Sequence, residues 1–142
     1  MALTIPRKRV LVCAYACEPG QGSEPGVGWS IVCGLAHYHD LLVVTRANNR
    51  EKIEAGVLPH GANIRFVYFD LPRWVQWCKH APLGIYWYYY LWQVNVGRWL
   101  VRDILPGFPI DVSHHASFQM AWMPSCVSAA ARPYVFGPVG GG

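Results

Sequence analysis

Val10-Leu11-Val12-Cys13-Ala14, followed by Cys17-Glu18-Pro19-Gly20-Gln21-Gly22-Ser23-Glu24-Pro25-Gly26-Val27-Gly28-Trp29, is the stretch that decides the fold. The first part is an unbroken apolar run of strand length, and the second is a glycine-rich turn that opens a helical pattern. A strand feeding such a turn is a phosphate-cradling geometry: glycines allow close backbone approach, and the free N–H groups of a helix start favour negative charge. The expected cargo is a phosphorylated or nucleotide-linked molecule.

Outward from this stretch, strand and helix signals alternate. The first helix runs from about Ser23–Pro25 to Tyr38, with Ile31, Val32, Leu35 and Ala36 on one face. Residues 41–45 form a second apolar run. Asn48 is placed to cap a short helix, with Glu51 at the capping-box position and Gly56 near its end. Residues 64–69, 110–114 and 134–136 are predicted as the third, fourth and fifth strands. Strands that are apolar throughout and separated by helices imply a parallel sheet covered on both faces. The expected fold class is therefore α/β, a doubly wound parallel sheet. The 142 residues amount to one domain. A further helix is expected after the fifth strand, so the closing Pro138-Val139-Gly140-Gly141-Gly142 reads as a chain cut off in mid-fold.

Composition narrows the function. At 53% hydrophobic and 14% charged residues, with seven Trp and eight Tyr, the chain is not a disordered one. The net charge of +4 comes from scattered basic residues, Arg7-Lys8-Arg9 excepted, so no nucleic-acid partner is expected. That balance suits an anionic ligand or an anionic membrane surface. Five cysteines without a CxxC pair favour reduced thiols in a cytoplasmic protein over disulfides or a zinc site, and no metal is expected. The Arg7-Lys8-Arg9 run and the apolar residues after it faintly resemble a signal peptide, but a buried first strand is the better reading.

From Pro82 to Leu105 the sequence predicts a long helix, with Pro82 in its first turn and Pro106-Gly107 ending it. It carries no charge from Pro82 to Gly97, about 16 residues, which is short of the roughly 20 that a membrane span needs. Its Trp87-Tyr88-Tyr89-Tyr90 cluster leaves two alternatives: a core or interdomain helix, or one lying at a membrane interface as a peripheral contact.

The glycine turn is neither a dinucleotide fingerprint nor a Walker loop. GxGxxG from Gly20 would need glycine where Pro25 stands, Arg46 occupies the place of a ribose-binding acid, and no GK[ST] follows. Adjacent His114 and His115 lie where a parallel strand ends at the crevice. They must point to opposite faces, so at most one can face a ligand, either can instead be a satisfied structural residue, and a zinc pair is disfavoured. Ser117, on the loop beyond the fourth strand, can bond a sugar or cap the next helix, and Glu24 can bind a hydroxyl or favour the helix dipole.

Ala14 to Gly20, Gly22 to Trp29 and Thr45-Arg46-Ala47-Asn48-Asn49-Arg50 resemble the amino-terminal half of glycosyltransferase family 4 proteins. Asp111-Val112-Ser113-His114-His115 and Gly137 to Gly142 fit the same group. The resemblance implies a Rossmann-like domain forming the amino-terminal, acceptor-side half of a GT-B fold, with the carboxy-terminal donor domain absent. It implies retaining transfer of a sugar (hexosyltransferase type) from a nucleotide-sugar donor to a glycan or lipid-linked acceptor hydroxyl, in glycan or polysaccharide biosynthesis. No cofactor is implied, the nucleotide-sugar being a substrate. Gly22, Glu24, Gly26, Gly28, Ser117, Gly140 and Gly141 would bind substrate or donor. His115 or His114 would be the catalytic histidine beside the transferred sugar, with a slight preference for His115. The alternatives are a stand-alone nucleotide-binding module and a non-catalytic membrane-surface protein.

Overall fold

A computed structural model describes residues 5–118, 120–130 and 133–138. Five strands form one parallel sheet: β1 (Arg9–Ala14), β2 (Asp40–Arg46), β3 (Ile64–Phe69), β4 (Val112–Ser117) and β5 (Tyr134–Phe136). Their order is β3-β2-β1-β4-β5. The chain winds outward from β1 through β2 to β3 and then returns to the other side of β1. The direction of winding therefore reverses between β1 and β4. This is the doubly wound, Rossmann-like arrangement that the apolar runs imply.

The alternation of side chains in β1 and β2 builds two cores. Leu11, Cys13, Tyr15, Leu42 and Val44 face one side, where α4 (Gly84–Trp99) supplies Tyr88, Tyr89, Trp92 and Val96. Val10, Val12, Ala14, Leu41 and Val43 face the other, where α1 (Ser23–Ala36) supplies Val32 and Ala36 and α2 (Arg50–Ala55) supplies Ile53. Because both faces are covered, the central strands carry no polar alternation, which explains their continuous apolar runs.

Several boundaries differ from the sequence expectation. β4 continues to Ser117 rather than stopping at His114, and its pairing with β1 shifts register between Cys13 and Ala14. Asn48 does not cap a helix: it lies inside a 3-10 turn, Ala47–Asn49, and the Asn49 side chain bonds elsewhere, so no capping box forms. The long helix starts at Gly84, not in a turn containing Pro82, because Leu83 adopts a left-handed conformation (φ 60°) just before it. It loosens into a π turn, Leu100–Ile104, and then a 3-10 turn, Leu105–Gly107, ahead of Phe108. A short helix, α3 (Arg73–Trp77), and a 3-10 turn, Cys78–His80, precede it and were not anticipated. Gly84 is tight for a packing reason, since a Cβ there would overlap the Cys78 carbonyl and push the turn off α4.

Candidate functional site

Open parallel sheets bind ligands outside the carboxyl ends of their strands, where the winding reverses. At that place a cavity of about 200 Å³ is lined by Tyr15 and Ala16 beyond β1, Glu24 and Pro25 of α1, Arg46 at the end of β2, Lys79, Ile85 and Phe118. Six separate segments of the chain meet here.

Tyr15 forms the wall of the cavity. Its ring stands edge-on to Tyr89 and Trp92, with centroids 4.9 and 5.0 Å away, and tilts against Phe118. Burial pushes its hydroxyl pKa up, an effect that Arg46 opposes. The Tyr15 carbonyl accepts from Arg46 Nε and from the Asn49 amide, both at 3.1 Å. The same amide nitrogen donates to Thr45 Oγ1 at 2.8 Å. The Thr45-Arg46-Ala47-Asn48-Asn49 segment thus clamps the end of β1 and holds the Arg46 guanidinium over the Tyr15 ring. Lys79 Nζ lies 3.7 Å above the ring of Tyr88, whose hydroxyl donates to Asp70. Desolvation, and then the nearby Arg46 charge, push the Lys79 ammonium pKa down. Neither cation forms a salt bridge with an acidic residue among the described residues. Two cations held by aromatic faces at the mouth of a crevice can receive a phosphate or carboxylate.

Glu24 is fixed in the same cavity: its Oε2 accepts from the Phe118 backbone N–H at 2.9 Å. Ser117 neither caps a helix nor stands on a loop. Its Oγ donates to the Ala16 carbonyl at 2.8 Å and accepts from the Ala16 N–H at 3.2 Å, joining β4 to β1.

The glycines divide by role. Gly28 is buried, and a Cβ on it would overlap the Ala16 carbonyl and press on Ser117 Oγ. A Cβ on Gly26 would overlap the Gln21 carbonyl. Packing within the chain therefore accounts for the missing side chain at both positions. Gly22, the extended residue before α1, has open space around it. Gly140 and Gly141 lie outside the described residues.

The two histidines point apart, as alternation requires, and neither lines the cavity. His115 is 1% exposed. Its Nδ1 is 2.7 Å from Ser125 Oγ, and its Nε2 is 3.1 Å from Tyr89 Oη and 3.2 Å from the Ser117 carbonyl. A carbonyl only accepts, so the neutral ring carries its proton on Nε2 and accepts a hydrogen bond from the Ser125 hydroxyl at Nδ1. Burial pushes its pKa down to about 4. The preference for His115 as the cleft residue gives way to a packed position under α4. His114 is half-buried and donates from Nε2 to the Gly137 carbonyl at 2.7 Å.

No group of three or more His, Cys, Asp or Glu is arranged to hold a metal among the described residues. Arg46 and Lys79 are the residues that sequence reasoning did not credit. Arg46 counted only as a missing acid, and Lys79 lies in the unanticipated turn before α4. No family model, curated protein or solved structure matches the chain.

Proposed function

We propose that the chain is the acceptor-side, amino-terminal half of a GT-B glycosyltransferase, contributing one wall of a sugar-transfer crevice. The observation that carries this reading is the cavity at the β1/β4 reversal, where Arg46 and Lys79 stand beside the Glu24 carboxylate over Tyr15. In such a transfer the bond from the anomeric carbon to the diphosphate breaks and a bond to the acceptor oxygen forms. The acceptor's hydroxyl proton passes to an oxygen of the departing diphosphate or to water, and the diphosphate leaves with the bonding electron pair. Fixed cations facing the crevice stabilise that charge or hold a phosphorylated acceptor, and they need no reorganisation at the moment of reaction. Glu24 accepts from a sugar hydroxyl, and the apolar Ile85 and Phe118 edges exclude water from the sugar face. An arginine at the end of β2 disfavours a dinucleotide module, which needs an acid there for the ribose.

Calorimetric titration of the protein with nucleotide-sugars, nucleoside diphosphates and phosphorylated sugars tests the reading. Binding of at least one of these, weakened at least about tenfold by Arg46→Ala, is expected, one charge-assisted contact being worth roughly 1.5–3 kcal/mol. Absence of binding to all three classes, or binding indifferent to Arg46→Ala, overturns it.

A further inference from the structure

The corner made by α3, the Cys78–His80 turn and the start of α4 carries an unusual surface. Trp74 and Trp77 on α3 are 75% and 78% exposed. Beyond the turn, Leu83, Tyr86, Trp87, Tyr90, Trp122 and Met123 line an open apolar groove of about 540 Å³. Exposed single apolar residues are ordinary, but an aromatic-lined groove of this kind, with two more exposed tryptophans on α3, marks an interaction surface.

Charge narrows the partner. From residue 71 to residue 101 the chain has Arg73, Lys79 and Arg98 and no Asp or Glu, while Asp70 and the Arg102–Asp103 ion pair stand at its two ends. Arg73, Lys79 and His80 stand in the same corner as the exposed tryptophans. Trp and Tyr are the residues that settle at the headgroup level of a bilayer, where their rings are apolar and their N–H or O–H stays wet. No helix among the described residues is long and apolar enough to cross a membrane. One side of α4 is already committed to the core through Tyr88, Tyr89, Trp92 and Val96, leaving Tyr86, Trp87 and Tyr90 outward. A helix used in this way lies along a surface rather than through it.

We infer that this aromatic and basic corner docks the protein onto an anionic lipid bilayer, with the tryptophans at headgroup depth and the cations toward the lipid charge. The groove residues and Arg73 do not line the β1/β4 cavity, whereas Lys79 borders both places, so the variants that test this inference leave Lys79 untouched.

Co-sedimentation with phosphatidylcholine vesicles, with and without phosphatidylglycerol, tests it, together with quenching of tryptophan emission by brominated lipid. Binding to the anionic vesicles, quenching there, and release by salt are expected. The triple variant Trp77→Ser, Trp87→Ser, Trp122→Ser should abolish binding at an unchanged circular-dichroism melt, because all three side chains are exposed. Arg73→Glu should weaken binding roughly tenfold. Failure to bind anionic vesicles overturns the inference, as does binding that survives the triple substitution. A concentration-dependent dimer that the triple variant dissolves, with no affinity for vesicles, also overturns it and makes the face a contact between copies.

Discussion

The guanidinium of Arg46 lies 4.3 Å over the ring of Tyr15 while its Nε donates to the Tyr15 carbonyl at 3.1 Å. One residue at the end of β2 is thus held at two points by one residue just beyond β1. A planar guanidinium can stack and donate at once, whereas an ammonium on a flexible stem cannot. Arg46→Lys should therefore keep the charge but lose the aim. Phosphoryl-ligand affinity is expected to fall almost as far as in Arg46→Ala, about tenfold, which calorimetry reads directly. Full affinity in Arg46→Lys would mean that only net charge matters there.

The α1 glycines give a prediction with opposite signs in one helix. Gly28→Ala places a Cβ on the Ala16 carbonyl, which belongs to the β1–β4 buckle and cannot move freely. A loss of at least about 1–3 kcal/mol in denaturant unfolding is expected. Gly34 is exposed in the same helix with nothing within 4 Å of its missing Cβ. Gly34→Ala should stabilise by roughly 0.5–1 kcal/mol. Similar effects at both positions would refute the packing account of Gly28. Gly26→Val should disturb the 20–26 turn itself, so lost ligand binding in that variant does not argue for backbone contact with a phosphate.

The sheet was legible because both of its faces are buried. Leu41, Leu42, Val43 and Val44 are each 1% exposed or less, so their apolar run reports burial directly. The α1 start was legible from its glycines, although their contacts proved internal. The crevice was much less so, because its two cations are brought together from residues 46 and 79 only by the winding of the chain. α3 escaped notice because Trp74 and Trp77 face solvent, so its five residues present no core stripe to periodicity. Ser117 read as a loop residue because the β4 run of polar Ser and His side chains hides a strand whose polar groups are satisfied internally.

The protein on its own is expected to bind a phosphorylated ligand and not to turn a nucleotide-sugar over. At about 200 Å³ the cavity falls below the roughly 300–1,000 Å³ of sites that enclose a small ligand, and a leaving diphosphate needs a closed, water-poor crevice. Incubation with nucleotide-sugars and candidate acceptors, followed by assay for released nucleoside diphosphate, checks this. Steady release by the pure protein would show that the wall is catalytic unaided.

The last prediction separates the two histidines. His115 is enclosed by Tyr89, Ser125 and the Ser117 carbonyl, and its ring stays neutral down to about pH 4. In the unfolded chain the same ring protonates near its ordinary 6.5. Between those values the unfolded state binds a proton that the folded state refuses, so stability is complete above about pH 6.5 and declines as the pH falls toward 4. The lowered pKa corresponds to about 3 kcal/mol over that window as an order of magnitude. Urea unfolding at several pH values should show the decline, and His115→Gln should flatten it. His115→Ala should also cost about 2–4 kcal/mol at pH 7, since it opens a cavity and removes the bonds that the Ser125 and Tyr89 hydroxyls make to the ring. His114, half-buried with one bond to the Gly137 carbonyl, should cost about 1 kcal/mol as His114→Ala. An unchanged slope in His115→Gln would reverse the assignment of the buried ring.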